Sequence, residues 1–435
     1  MHKYIIRGGN RLNGRVELKA AKNSVLALIA ASVLTEDDVV LKNCPDLDDI
    51  LNKLKIINDL GAKALYNGKD IFINTKNAKN TAISYALAKT LRSSFVLVGP
   101  LLARFKKAKA YYPGGCKIGK RPVDIHLDAF RALNVKIDDD SDDFVVFDAS
   151  EMRGADISLS FPSVGATQNA MMAAVCAPGL TTISNAAKEP EICDLQNLLN
   201  LMGAKVCGAG GPLITIEGVD CGALSGAAYS PIPDRIVAGT LIIAAAMCGG
   251  ELTIGNCVPA HIDSLLNLLK NNLCDIKPGE TSITVSGDGR LKALPEISSA
   301  PYPLFPTDLQ PQITALAAVC RGTTKISENV FENRFNHIDE LEKMGAQIYV
   351  NKLERTIVVR GVECLRGANV TASDLRCGAA LVVAALSARG ITVINNVEPI
   401  DRGYENFEET LKSLGADIVR VKECKRKPLQ KIFDK

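Results

Sequence analysis

The chain has 435 residues, 47% hydrophobic and 23% charged, with 34 Gly and 19 Pro, a balance that excludes a disordered or fibrous chain. With 51 Lys and Arg against 48 Asp and Glu, the formal charge is +3, too even for a general nucleic-acid binder. Aromatics make up 5% and Trp is absent, so base-stacking platforms are scarce and the core must be built from Ala, Val, Ile and Leu.

Length alone suggests about three domains. The 13 Cys are odd in number, scattered and never spaced C-x-x-C, so no disulfide framework, structural zinc or thioredoxin-like motif is expected. Four His argue against a His-rich metal site. The N-terminus MHKYIIRGGNR lacks the apolar stretch of a signal peptide. The longest apolar run, 236–248, falls short of the ~20 residues that span a bilayer. A reduced, cytoplasmic protein without membrane contact is expected.

In chain order, the strand-like segments YIIRG and RVELK come first. A helix apolar nearly all round follows, KNSVLALIAASVL, then an amphipathic helix DDILNKLKIINDLGA and a strand DIFIN. The pattern then repeats. LGAKA at Leu60 returns as LNVKI at Leu133, MGAKV at Met202, LCDI at Leu273, MGAQI at Met344 and LGADI at Leu414, at intervals of 73, 69, 71, 71 and 70 residues. Each copy follows an apolar-periodic stretch such as DLQNLLNLMGA or HIDELEKMGA, and the Gly after the last apolar residue suits a helix C-cap. Downstream lie strand-like runs: FVVFD, LITIEG, SITVSG, TIVVRG. The other all-round apolar helices are LRSSFVLVGPLLARF, GATQNAMMAAVCA, DRIVAGTLIIAAAMC, LQPQITALAAVC and LRCGAALVVAALSA, and such helices belong inside a core.

One unit cannot close a core alone, whereas three can pack their buried helices together. The expectation is an α/β chain of six units of about 70 residues in two lobes of three. Residues 22–229 form the first lobe, and 1–21 with 230–435 the second, divided at the Pro-bearing segment AAYSPIPD. A cleft between lobes favours a small-molecule site.

The apolar helices begin with Lys22 and Asn23, Arg92, Thr167, Asp234 and Arg235, Asp308, and Asp374 and Arg376. Thr167 and Asp374 read as ordinary N-caps. Lys22, Arg92, Arg235 and Arg376 oppose the helix dipole, which points to an anion held beside them. In YYPGGCKIGKRPVDIH, Cys116 sits among Gly, Lys117, Lys120 and Arg121, and adjacent cations make a thiol reactive. By contrast, Cys176 and Cys248, inside apolar helices, read as small buried hydrophobes. FPTDLQPQ makes Asp308 an N-cap, or a general base if a substrate hydroxyl comes within reach. Arg334, Asp401 and Arg402 sit before surface helices, where a lone Arg is ordinarily a solvated charge. Glu189, Glu191 and Asp194 lie close in sequence, but no His accompanies them as a metal ligand.

The strings LKAAKNSVLALIAASVL, PGGCKIGKRPVDIHLDAF, FPSVGATQNAMMAA, FPTDLQPQ, FENRF, ASDLR and IDRGYENFEETLKSLGA resemble, in order from about Tyr4 to Val421, the UDP-N-acetylglucosamine 1-carboxyvinyltransferase family of enolpyruvyl transferases. The resemblance implies a two-lobed inside-out α/β barrel. It also implies transfer of the enolpyruvyl group of phosphoenolpyruvate to the sugar 3′-hydroxyl with loss of phosphate, the committed step of peptidoglycan synthesis, with no cofactor or metal. It makes Cys116 the general acid and adduct-forming thiol, Lys22, Arg121 and Arg402 the clamps on phosphate and carboxylate, and Asp308 the base. Asn23 and Arg92 become cleft residues, Arg376 a donor-side Arg, and Glu191 a polar neighbour. The nucleotide-sugar contacts become Arg121, Pro122, Val123, Asp124, Ile125, Phe161, Pro162, Ser163, Val164 and Val330. The chain departs from many relatives at Val96, where they carry Trp, and at Tyr112, where they carry Leu. The sister 3-phosphoshikimate enzyme, an inactive nucleotide-sugar binder and an RNA-modifying enzyme remain alternatives, the last disfavoured by charge. Oligomeric state is not legible.

Overall fold

The computed structural model describes residues 2–112, 123–272, 274–289 and 291–422. Six helices form its interior: Lys22–Ala31, Val98–Phe105, Val164–Ala174, Arg235–Cys248, Gln310–Ala317 and Leu375–Ser387. They are the segments with no polar face, and burial follows: every residue of Gln310–Ala317 is buried. The amphipathic helices Asp48–Asp59, Asp124–Ala132, Pro190–Leu201, Asp263–Lys270, Ile338–Lys343 and Phe407–Ser413 alternate with them along the chain. Just beyond five of these, the chain turns through a left-handed residue: Gly61, Asn134, Gly203, Gly345 and Gly415, with φ of 94°, 63°, 105°, 92° and 100°. Asn serves in the second unit because its short polar side chain tolerates that conformation.

The described strands make five sheets of four strands and one of three. Leu180–Ser184 is typical, pairing antiparallel with Leu213–Glu217 and parallel with the short edge strand Asp156–Ser158. Its buried and less buried residues alternate, as in a sheet with one face on the core and one toward water. Apolar helices therefore lie inside and sheets outside, gathered around two apolar cores. One apolar core draws on residues from Ala20 to Leu224; the other combines Tyr4 to Leu18 with Ile236 to Ile418. His2–Arg7 lies between Ile391–Asn395 and Asp417–Lys422, antiparallel to both, and Gly14–Glu17 runs parallel to Gly250–Gly255. The chain thus starts in one core, crosses near Ala20 and returns near Pro233. The crossing segments hydrogen-bond to each other, Ala21 N to Ile232 O at 2.7 Å and Asp234 N to Lys19 O at 3.1 Å.

Two local expectations are corrected. Asp374 caps its helix, accepting from Arg376 N and Cys377 N, but Thr167 does not cap. The helix begins earlier, with Ser163 as its cap, and Thr167 lies inside, its Oγ1 accepting from Ala187 N at 3.0 Å. Cys176 is not a lone buried hydrophobe: it is disulfide-bonded to Cys221 across 45 residues of sequence, with the Cα atoms 5.4 Å apart. Val219 N donates to Val175 O at 2.8 Å, which brings the turn carrying Cys221 against the end of the helix.

Gly345 tests the cost of the recurring turn. A Cβ there meets nothing within 4 Å and the φ is +92°, so Gly345→Ala introduces backbone strain alone. The expected loss is about 1–2 kcal/mol, read from the urea midpoint. Gly99→Ala should cost more, because its Cβ would lie 2.4 Å from Asn169 O in the neighbouring core helix.

Candidate active site

A helix that is apolar on every side meets water only at its ends, and the polar residues gathered there form three linked clusters. The first is built on Asp49, in the first turn of Asp48–Asp59. Its Oδ2 lies 3.1 Å from Lys22 Nζ and its Oδ1 2.8 Å from Arg402 Nε. Lys22 and Asp49 are buried. Lys22 opens a helix, where the dipole disfavours a cation, and Asp49 offsets that. Burial pushes the Asp49 carboxyl up, but the charges of Lys22 and Arg402 outweigh it, so its pKa lies below the usual range. Asn23 follows Lys22, half-buried. Lys22 N also donates to Asp234 Oδ2 at 3.1 Å, while Asp234 Oδ1 caps the next helix through Ile236 N and Val237 N.

The second cluster surrounds Asp308, in the one-turn helix Thr307–Leu309. Its side chain does not cap. Oδ1 accepts instead from Arg334 Nη2 at 2.8 Å and Arg376 Nε at 3.1 Å. Burial acts to raise its pKa, yet Arg376 and Arg334 hold the carboxyl far below the usual range. Arg334 is only 5% exposed, so it is not the solvated charge its sequence context suggested. Arg376 Nη1 lies 3.4 Å from the buried Tyr404 hydroxyl, which shares a 2.8 Å hydrogen bond with Thr240 and accepts from Gln312 Nε2 at 3.3 Å.

In the third, Arg235 Nε meets Glu191 Oε1 at 3.1 Å, both buried. Asp194 accepts from Tyr229 at 2.5 Å, from Ile232 N at 3.2 Å, and from Ser24. Glu191 and Asp194 are therefore engaged internally, and no group of three or more His, Cys, Asp or Glu among the described residues is arranged to hold a metal.

Arg92 opens the two-turn 3-10 stretch Arg92–Leu97. It lies near His126, whose pKa burial, aided by the Arg92 charge, pushes down to about 3. His126 Nδ1 is 2.9 Å from Asn169 Nδ2, so a neutral ring accepts there. Val123 is buried, Ile125 half-buried and Asp124 exposed at the start of its helix. Phe161 is 39% exposed, with Pro162, Ser163 and Val164 half-buried behind it. Val330 is half-buried, its N–H donating to Glu328 Oε1 at 2.9 Å. Cys116, Arg121 and Pro122 lie outside the described residues. Asp49, Thr307, Glu328 and Tyr404 were missed in the sequence. Asp49 had one weak signal, an acidic residue in the first turn of a helix.

Lys22, Arg402, Arg334, Arg376 and Arg235 thus face Asp49, Asp308 and Glu191. Two cations share Asp49 and two share Asp308, and a local positive surplus of that kind suits an anionic ligand. Among the described residues, no helix is long and apolar enough to cross a membrane.

Residues 6–411 match the family model described as EPSP synthase (3-phosphoshikimate 1-carboxyvinyltransferase). The chain is 48% identical, over 97% of its length and 100% of the relative, to UDP-N-acetylglucosamine 1-carboxyvinyltransferase 2 of Caldanaerobacter subterraneus subsp. tengcongensis. It is 45% identical to the UDP-N-acetylglucosamine 1-carboxyvinyltransferase of Finegoldia magna, over 94% of this chain and 96% of that one. Among solved structures, the enolpyruvyl transferase NikO from Streptomyces tendae superposes with a TM-score of 0.87 at 26% identity, over 97% of this chain and 99% of that one. EPSP synthase from Acinetobacter baumannii shares the fold, with a TM-score of 0.74 at 17% identity, over 97% and 100% of the two chains.

Asp49→Asn tests the first cluster by removing the charge and keeping the shape. Because the folded-state pKa is depressed, the carboxylate contributes stability above its unfolded value of about 3.9 and loses it as pH falls through the folded value. The variant should be less stable than wild type by about 3 kcal/mol at pH 7. That gap should close below about pH 4, as measured by denaturant titration across pH.

Proposed function

We propose a function from the premise that the chain belongs to the UDP-N-acetylglucosamine 1-carboxyvinyltransferase family of enolpyruvyl transferases. The protein transfers the enolpyruvyl group of phosphoenolpyruvate to the 3′-hydroxyl of UDP-N-acetylglucosamine and releases phosphate, in the service of peptidoglycan synthesis. What supports the placement of its chemistry is the convergence of Lys22 and Arg402, 380 positions apart in the numbering, on the one buried carboxylate of Asp49. We assign 22–229 to one lobe and 1–21 with 230–435 to the other, which makes this an inter-lobe junction. An incoming phosphate or carboxylate competes with Asp49 for these cations, and bidentate Arg suits such a group.

The reaction is addition followed by elimination. In the addition, the methylene carbon of phosphoenolpyruvate gains a proton while the sugar oxygen bonds to the adjacent carbon and gives up its own proton. In the elimination, that methyl carbon loses a proton, the carbon–oxygen bond to phosphate breaks and the double bond returns. We assign proton donation to Cys116 and acceptance of the hydroxyl proton to Asp308. Two guanidiniums on Asp308 make it a weak base in the ligand-free site. An anion that draws Arg376 away raises its basicity, so donor binding and base activation are coupled. Arg121 joins Lys22 and Arg402 on the donor. Arg92, 121–125, 161–164 and Val330 take the nucleotide sugar, and Asn23 lines the cleft beside Lys22. We place the enzyme in the cytoplasm, weighing nine unpaired cysteines among the described residues against the one Cys176–Cys221 disulfide.

The deciding experiment measures phosphate release from phosphoenolpyruvate with UDP-N-acetylglucosamine and, separately, with shikimate 3-phosphate. Turnover with the first alone is expected; turnover with the second alone overturns the proposal. Cys116→Asp should keep a proton donor and measurable turnover, whereas Cys116→Ala should lose turnover by about 100-fold or more. Equal loss in both would count against proton donation. Fosfomycin, an epoxide mimic of the donor, should add its mass to the Cys116 peptide.

A further inference from the structure

Glu328 is fully buried at the end of the strand Thr323–Glu328. Four neutral donors converge on its carboxylate. Oε1 accepts from the N–H groups of Val330 at 2.9 Å and Phe331 at 3.0 Å. Oε2 accepts from Ser299 Oγ at 2.8 Å and Thr307 Oγ1 at 2.9 Å. Together they fill the lone-pair sites a carboxylate offers. Burying such a group is costly, and only a complete set of hydrogen bonds makes it tolerable.

What the carboxylate joins is more telling than its burial. Thr307 Oγ1 also accepts from Arg334 Nη1 at 3.0 Å, and the other end of that guanidinium holds Asp308 at 2.8 Å. On the other side, Glu328 fixes the backbone of Val330, assigned above to the nucleotide sugar. Phe331, held by the same oxygen, carries the Arg334 guanidinium over its ring, 4.9 Å from the centroid. Two segments some twenty residues apart, one bearing the proposed base and one a proposed sugar contact, are therefore set against each other by a single side chain. Removing it takes an acceptor from two backbone amides and releases Thr307 from one of its two partners.

We propose that Glu328 is a positioning residue for enolpyruvyl transfer, fixing the distance between the Asp308 carboxylate and the Val330 backbone so that the sugar 3′-hydroxyl lies against the base. The proposal rests on the function proposed above. Glu328 touches neither substrate and acts through Thr307, Arg334 and the 330–331 amides.

The test compares Glu328→Gln, Glu328→Asp and Glu328→Ala in the full-length enzyme, with steady-state kinetics in both substrates. Gln keeps the length, offering oxygen to the two amides and its NH2 group to the two hydroxyls. Glu328→Gln should stay within about fivefold of wild type in kcat, whereas Asp, one methylene short, cannot reach both sides and should lose about tenfold or more. In Glu328→Asp, KM for UDP-N-acetylglucosamine should rise severalfold while KM for phosphoenolpyruvate holds within about twofold. Should Glu328→Ala fail to fold, the Gln and Asp pair carries the comparison. Folded variants with wild-type kinetics overturn the proposal, as does a loss of kcat proportional to the folded fraction with both KM values unchanged. Hydrogen exchange of the peptide spanning 329–334 separates this from the function itself. If wild type releases no phosphate, the function fails, and exchange still decides about Glu328. Exchange about tenfold faster in Glu328→Asp supports positioning, and unchanged exchange refutes it.

Discussion

The constraint on which everything else depends is that the six central helices have no polar face. The helix Leu375–Ser387 is buried from Arg376 to Leu386, so it touches the polar world only at its ends. The same holds for Lys22–Ala31 and Arg235–Cys248. The charged groups of these three helices stand in their first turn, and the fold brings those first turns together near the crossing of the chain. Burial in the core thus dictates where the chemistry can be.

That concentration sets an electrostatic problem which the structure resolves with shared carboxylates. Lys22, Arg235 and Arg376 begin helices, at the end where the dipole repels cations. Asp49 holds Lys22 together with Arg402, Glu191 holds Arg235, and Asp308 holds Arg376 together with Arg334. Asp234 and Asp374 satisfy the free N–H groups of their own helices. The cations are therefore in place without a ligand, each beside a carboxylate that an anionic substrate can replace. Such preorganisation lowers the cost of ordering long side chains on binding.

The period, the two helix types and their left-handed exits were legible because each is a local pattern: all-round apolarity, amphipathic spacing, a Gly or Asn one step past the last apolar residue. Lys22, Arg376 and Asp308 were legible for a related reason, since charge at the entrance to an apolar helix is anomalous on its own. The partners were not. Asp49 sits 353 positions from Arg402 and looks like any acid in a first turn, where acids are ordinary. Glu328 ends a strand, Tyr404 follows a Gly, and Arg334 precedes a surface helix. Nothing in their neighbourhoods says that a second segment arrives. Thr167 was misread because Ser163 starts the helix before the apolar run begins. The Cys176–Cys221 pair escaped because only backbone pairing through Val175 and Val219 brings those segments together.

The same missed partners decide how the site works. Arg334 and Arg376 both stabilise the Asp308 carboxylate, which would make it a poor base in the proposed reaction for as long as both remain. The two guanidiniums are not equivalent, however. Arg334 is held from behind by Thr307, and through it by Glu328. Among the described residues, the one side-chain hydrogen bond Arg376 makes besides that to Asp308 is a 3.4 Å contact with the Tyr404 hydroxyl, and that hydroxyl has Thr240 and Gln312 as other partners. In the proposed function Arg376 is accordingly the one that would turn toward an incoming carboxylate or phosphate, while Arg334 would keep Asp308 oriented. Asp308 would then gain basicity only once an anion has arrived, without losing its aim. In that arrangement the order of events is written into which arginine is fastened and which is not.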